Sequence, residues 1–143
     1  MSLRVTRLRP SARLPTRAHP SDAALDLYAD EEVHLGPGER ASIGTGLAVG
    51  LEEGQAALVL PRSGLALRHG LALVNAPGLI DPGYRGEVRV LLLNTDPAKS
   101  CRLGVGERIA QLLLVRFDRA EPEEVEAQEE TARGGGGFGS SGR

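Results

Sequence analysis

Asn75-Ala76-Pro77-Gly78-Leu79-Ile80-Asp81-Pro82-Gly83-Tyr84-Arg85-Gly86-Glu87 is the stretch that decides how the chain reads. It follows the apolar run at residues 71–74 and precedes another at 88–93. Two strands joined by a turn-rich loop are the natural interpretation. Pro77-Gly78 and Asp81-Pro82-Gly83 are both turn signals, because proline presets φ and glycine supplies φ > 0. One carboxylate, Asp81, sits between the turns, and Tyr84, one of only two tyrosines, lies just beyond. Taken alone, the stretch is a hairpin loop whose Asp serves turn chemistry.

Composition narrows the class. A chain of 143 residues is one domain of common size. Such a domain buries roughly 68–70% of its unfolded surface, so it holds a core without disulfides. The net charge of −2 gives no basic footprint for nucleic acid. Cys101 is the only cysteine, which excludes an internal disulfide framework and predicts a reducing, cytoplasmic location. No run reaches the ~18 apolar residues of a membrane span, and no apolar leader precedes a cleavage site. A soluble protein with no membrane partner is therefore expected. His19, His34 and His69 are far apart and lack metal-ligand spacing.

Outward from the hairpin, short strands dominate. Residues 3–8 alternate and read as a first strand, followed by a loop at 10–20. Residues 25–29 form a short strand containing Asp26, a residue type disfavoured in strands, which needs either a partner or a strand end facing water. Leu35-Gly36-Pro37-Gly38-Glu39-Arg40 and Leu103-Gly104-Val105-Gly106-Glu107-Arg108 are two copies of one turn-then-strand device. Residues 47–51, 55–60 and 109–117 are further strands, the last with Gln111 near its start, where a hydrogen bond within the core would satisfy it. The acidic segment 121–130 reads as a solvated helix or a charge-protected edge strand. The strand is preferred, because Pro122 interrupts the segment early.

Two stretches depart from this pattern. In Pro61-Arg62-Ser63-Gly64-Leu65-Ala66-Leu67-Arg68-His69-Gly70, Ser63 is predicted to cap a helix of about two turns ending at Gly70. A helix start carrying an Arg and a hydroxyl suits an anion, and an ordinary capped surface helix suits the same residues. The end, Arg133-Gly134-Gly135-Gly136-Gly137-Phe138-Gly139-Ser140-Ser141-Gly142-Arg143, has the composition of a flexible tail. Phe138 does not fit a mere tail. An aromatic on a cationic, hydroxyl-bearing arm suggests a flap that closes an aromatic face and a phosphate grip over a ligand. About ten short strands with one small helix predict an all-β barrel or jelly roll.

Five stretches, in order, resemble the trimeric deoxyuridine triphosphatase (dUTPase) family. They are residues 24–29, Pro61-Arg62-Ser63-Gly64-Leu65-Ala66, residues 75–87, Gly106-Glu107-Arg108-Ile109-Ala110-Gln111-Leu112, and residues 133–142. Ala24 stands where the family usually has Gly, and Ser141 where Thr is common, which keeps the hydroxyl. The resemblance implies a distorted, jelly-roll-like barrel assembled as a homotrimer, with each active site built from all three chains. It divides the chain into a catalytic barrel at 1–132 and a glycine-rich, flexible arm at 133–143. The implied reaction is dUTP plus water giving dUMP and pyrophosphate with Mg²⁺, which keeps uracil out of DNA and supplies dUMP for dTMP synthesis.

Site residues follow from the same resemblance. Asp81 is the base that deprotonates water for attack at the α-phosphorus. Arg62, Arg108 and Arg133 are forked donors for phosphate oxygens. Ser63, next to Gly64, donates to a bridging oxygen as charge develops there. Gln111 binds phosphate or places the water, and Asp26 acts near a hydrated Mg²⁺ held mainly by the triphosphate. Asn75 and backbone groups at Gly78 and Leu79 read uracil, in a loop too narrow for thymine's methyl. Tyr84 packs under the deoxyribose and excludes a 2′-hydroxyl. Phe138 covers the base, and Gly139, Ser140 and Ser141 complete the lid with Arg133.

Two alternatives stand beside this one. The related dCTP deaminases share the barrel, the Pro-Arg-Ser motif and the Ile-Asp-Pro-Gly turn, but place a catalytic Glu where this chain has Leu91. A non-catalytic nucleotide-binding barrel should have lost Asp81 or the arm, and both are present.

Overall fold

A computed structural model describes residues 1–143, with eleven strands and one helix. The strands are β1 (Arg4–Arg7), β2 (Leu25–Tyr28), β3 (Val33–Leu35), β4 (Arg40–Gly44), β5 (Leu47–Gly50) and β6 (Gln55–Leu60). After the helix α1 (Ser63–His69) come β7 (Leu71–Leu73), β8 (Gly78–Ile80), β9 (Arg89–Asn94), β10 (Cys101–Leu103) and β11 (Arg108–Arg116). They form sheets ordered β1-β5, β10-β3, β2-β11-β6-β8 and β4-β9-β7. The expectation of an all-β chain with one short helix therefore holds. Alternation delivers one face of each strand to a single core that includes Leu27, Leu47, Val90, Leu92, Ile109 and Leu112. No helix is long and apolar enough to cross a membrane.

The central stretch is more than a loop. β7 and β9 pair antiparallel, Leu71 opposite Asn94, so the strands flanking 75–87 do form a hairpin. Within the connection, Gly78–Ile80 forms β8 and pairs with β6 of a different sheet. The hairpin loop thereby stitches two sheets together. Gly78 is the residue that allows it. A Cβ there would lie 3.2 Å from Asn75 Nδ2 and 3.3 Å from the Val59 side chain.

The two copies of the Gly-x-Gly-Glu turn share one mechanism. Glu39 N donates to Gly36 O and Glu107 N to Gly104 O, while each Glu carboxylate accepts the N–H of its own first glycine. Gly38 and Gly106 supply the positive φ, 74° and 82°.

Two local expectations fail. Ser63 does not cap α1. Arg62 takes the N-cap position in an extended conformation, with no side-chain cap bond, and Ser63 becomes the first helical residue. Gly70 ends the helix in the left-handed conformation as predicted. Residues 121–130 form neither strand nor helix and are exposed throughout. Pro122 removes a donor and the carboxylates repel one another, so the segment pairs with none of the sheet edges.

The surface area is 9882 Å². A folded monomer of 15.1 kDa exposes roughly 7,100 Å² by the usual mass scaling. Every residue from 116 to 135 is exposed, and this extended segment accounts for part of the excess.

Asn94 is fully buried and ties the ends of three strands. Its Nδ2 donates to the carbonyls of Leu35, Gly36 and Lys99, and its Oδ1 accepts from Asp96 N. Replacing it with Ala strands those groups. Urea unfolding at fixed protein concentration should then show a loss of about 2–4 kcal/mol; a change within about 0.5 kcal/mol would contradict this role.

Candidate active site

Two groups of side chains lie on opposite parts of the β2-β11-β6-β8 sheet. The first centres on Asp26. Its backbone is pinned on one side by the loop residue Thr16, with Asp26 N donating to Thr16 O at 2.6 Å, and on the other side it faces Gln111 of β11. The residue is 8% exposed, so of the two alternatives, a partner or a strand end facing water, the partner is the one found. Partners make the burial tolerable: Arg62 Nε lies 3.2 Å from Oδ1, and Arg108 Nη1 lies 3.5 Å from Oδ2. Arg62 leaves the helix N-cap to reach this carboxylate, while Ser63 and its hydroxyl stay exposed beside it and Gly64 is half-buried in the first turn. Gln111 is not a core amide. It is half-buried, and its Nε2 donates to Pro61 O at 3.3 Å. Asp22, Asp26, Arg62, Gln111 and small neighbours line a cleft of about 420 Å³ here.

The loop that covers β2 is held by a short relay. The hydroxyls of Thr16 and Tyr28 share a hydrogen bond of 2.5 Å, and the Arg13 guanidinium stacks 4.3 Å from the Tyr28 ring centre. Sequence reasoning missed these residues. The one available signal was a tyrosine two positions after Asp26, which the pleat places on the same face.

The second group is the hairpin. Val59, Asn75, Gly78, Leu79, Ile80, Tyr84, Glu87, Val88, Arg89 and Leu91 line a largely apolar pocket of about 200 Å³. Leu79 and Tyr84 are exposed at its rim. Asp81 follows β8 directly and is exposed, and Tyr84 N donates to Asp81 O, closing the turn.

Register shows how far apart the groups are. Gln111 stands opposite Leu60, while Ile80 stands opposite Ala57. Asp81 is thus more than three residues, roughly 10 Å, along β6 from the level of Gln111 and roughly 10 Å across from β11. Within one chain Asp81 does not meet the Arg62–Asp26–Arg108 cluster.

The arm meets neither group. Its hydrogen bonds are local: Arg133 Nε donates to Gly136 O, Ser140 N to Gly137 O, and Gly142 N to Gly139 O. Phe138 is fully exposed, with φ 51°, a rare conformation for a bulky residue. Gly139 and Ser141 are exposed as well.

A partly buried ion network borders the hairpin and was not anticipated. Arg9 Nε donates to Asp30 Oδ2 at 2.6 Å, and Arg9 Nη2 donates to Glu87 Oε1. Gly46 N donates to the same Glu87 oxygen at 2.9 Å, and Arg89 Nη1 donates to the other at 2.9 Å. Gly46 must be glycine: φ is +69°, and a Cβ would sit 2.7 Å from Asp30 Oδ2. The sequence signal was faint, namely single charges abutting apolar runs at Ala29-Asp30 and Glu87-Val88.

Arg62 in the cleft, with Arg108 on the same carboxylate, suits an anionic group, and the separate, largely apolar hairpin pocket suits an uncharged one. Those are the two chemistries a nucleotide presents. The dUTPase family model matches residues 10–142, and the chain belongs to that family. The deoxyuridine 5′-triphosphate nucleotidohydrolase of Thermobifida fusca is 56% identical over 138 residues, covering 96% of this chain and 77% of that protein. A Staphylococcus bacteriophage 80alpha dUTPase variant solved with dUpNHpp superposes with a TM-score of 0.92 at 33% identity, covering 99% of each chain. A variant dUTPase from phage phi11 of S. aureus, described as revealing coordination of a structural Mg(II) ion, superposes at 0.85 with 29% identity, over 91% of this chain and 100% of that one.

No group of three or more His, Cys, Asp or Glu side chains could hold a bare metal ion. Both oxygens of Asp26 already face arginines, so a cation near it would have to keep its waters and take most of its oxygens from ligand phosphates.

Burial pushes the Glu87 carboxyl up, but hydrogen bonds from Arg9, Gly46 N–H and Arg89 outweigh it and hold the group below its ordinary value of 4.5. The network's contribution to stability is therefore present above about pH 4.5 and is lost as pH falls through the lower folded value. Thermal unfolding followed from pH 6 downward should fall more steeply below about pH 4.5 for the native chain than for Glu87→Gln. Parallel curves would contradict it.

Proposed function

We infer that this chain is a dUTP diphosphatase that hydrolyses dUTP to dUMP and pyrophosphate. Membership of the dUTPase family over residues 10–142 is the observation that carries the reading. The identity of 56% to a deoxyuridine 5′-triphosphate nucleotidohydrolase supports it, as does the likeness to a dUTPase solved with dUpNHpp.

The chemistry is divided between the two groups of residues. In the hairpin pocket, Asn75 and the backbone at Gly78 and Leu79 read uracil, and Tyr84 lies under the deoxyribose. Asp81 accepts a proton from the water that attacks the α-phosphorus. The bond from that phosphorus to the bridging oxygen breaks, and pyrophosphate leaves with the electron pair. Ser63 donates to that oxygen as charge gathers on it, and Arg62, Arg108 and Gln111 bind the phosphates. Asp26 keeps Arg62 and Arg108 oriented and hydrogen-bonds waters of the cation. When bound, Mg²⁺ neutralises charge on the triphosphate. The arm, residues 133–143, closes over the nucleotide with Phe138 on the base and with Arg133, Ser140 and Ser141 on phosphate; Gly139 supplies its bend.

The assembly in this reading is a homotrimer of jelly-roll-like barrels, in which another copy brings Asp81 to the Asp26 cluster and a third donates the arm. The separation of Asp81 from that cluster within one chain supports shared sites, and closed cyclic symmetry accommodates them. The surface area beyond that expected of a monomer also supports association.

Deamination of dCTP is disfavoured by a specific feature. Leu91 lines the hairpin pocket where that reaction needs a carboxylate, and the pocket's own carboxylate, Glu87, is committed to Arg9, Arg89 and Gly46 N–H.

Pyrophosphate release across a nucleotide panel tests the reading. dUTP should be turned over far faster than UTP, dTTP or dCTP, and Asp81→Asn should bind dUTP while losing about 10²–10⁴ in kcat. Ammonia release from dCTP, equal use of dTTP, or near-normal turnover by Asp81→Asn would contradict it.

A further inference from the structure

Tyr84 is not held by the pocket it borders. Its ring folds back over Gly86: the three nearest atoms that a Cβ on Gly86 would meet all belong to Tyr84, with ring carbons Cζ and Cε2 at 2.6 and 2.9 Å. Its hydroxyl donates to Glu87 O at 2.9 Å. Glu87 is in turn the most constrained residue of the loop. Its carboxylate accepts from Arg9, Gly46 N–H and Arg89, and Arg9 also binds Asp30, whose side chain is 1% exposed. Asp30 Oδ1 is buried with no hydrogen-bond partner, so the network is committed to its arrangement rather than relaxed around it. Arg89 is fixed from behind by Ser42, through its hydroxyl and its carbonyl, both at 2.8 Å.

A ring bonded through one hydroxyl on an exposed turn would ordinarily sample several positions. Here its far end is tied to a residue anchored on the N-terminal segment, the β2–β3 turn and the β4–β5 turn together. We propose that Gly86 and Glu87 are positioning residues that set the pose of Tyr84, so that preference for a deoxyribonucleoside over a ribonucleoside triphosphate is carried by the Arg9–Asp30–Glu87 network and not by Tyr84 alone. Gly86 leaves the space into which the ring folds, and Glu87 fixes the carbonyl that orients the hydroxyl. The Asp81 turn has its own closure, Tyr84 N to Asp81 O, which neither residue's side chain touches. Sugar discrimination and substrate affinity should therefore change while chemistry persists.

The inference rests on Tyr84 facing the sugar. The experiment measures kcat and KM for dUTP and UTP in the intact enzyme and in Gly86→Ala, Glu87→Ala, Tyr84→Ala and Thr45→Val. Gly86 has no positive φ, so alanine there conflicts with the Tyr84 ring and not with its own backbone. Thr45→Val removes the buried Thr45 Oγ1 to Val88 O bond nearby, loosening the same region without touching the ring. Gly86→Ala and Glu87→Ala should each raise KM for dUTP about tenfold and lower the dUTP-over-UTP ratio of kcat/KM about tenfold, with kcat within about threefold. Thr45→Val should keep the native ratio. The native ratio in Gly86→Ala, or in folded Glu87→Ala, overturns the proposal, as does an equal loss in Thr45→Val. If Glu87→Ala does not fold, Gly86→Ala decides. Tyr84→Ala separates the premise from the proposal. Should it also keep the ratio, the sugar-platform reading has failed; should it alone lose the ratio, only the positioning role has failed.

Discussion

β11 sits between β2 and β6, and its register sets Asp26, Arg108 and Gln111 at one end of the sheet. Gln111 pairs toward Asp26 on one side and Leu60 on the other, so the Arg62–Asp26–Arg108 cluster gathers at one end of the sheet. β8 joins the same sheet through β6 but runs away from that end, carrying Asp81 with it. A one-residue slip would turn Asp26 and Gln111 to the other face. The sheet's geometry thus keeps Asp81 and the Asp26 cluster apart within a chain. In the proposed assembly, a second copy brings them together.

The two charged groups are held differently. Asp26 is buried between two arginines that are themselves partly exposed. The Arg9–Asp30–Glu87 network is closed on itself. Only the Asp30 side chain is withdrawn from solvent, while Arg9 stays 42% exposed, so the network holds a conformation through its several partners rather than through burial of charge. It lies at the foot of the 75–87 hairpin.

Much of this was legible in the sequence because it depends on local rules. Alternation marked the strands, Gly70 marked the helix end, and the paired Gly-x-Gly-Glu turns announced themselves by repetition. What escaped depends on distant contacts. β8 is three residues between turn signals, and only pairing with β6 makes it a strand. Ser63 looked like a cap, but Arg62 takes that position while its side chain reaches Asp26 across the sheet. The acidic segment 121–130 has strand-like features, but Pro122 and its run of carboxylates leave it unpaired. The motif residues can be picked out one by one in the sequence, while the separation of Asp81 from Asp26 comes only from register. Arg9, Asp30 and Glu87 are 78 positions apart from first to last and carry no pattern that marks them as partners.

The central claim is that a working site takes Asp81 and Arg62 from different copies. Asp81→Asn and Arg62→Ala, each inactive alone, can be unfolded together, refolded at equal ratio and assayed for dUTP hydrolysis. With sites shared between copies, random mixing should restore about one quarter of them, and activity should reappear in the mixture. Mixed oligomers that form and remain as inactive as either parent would contradict the shared site.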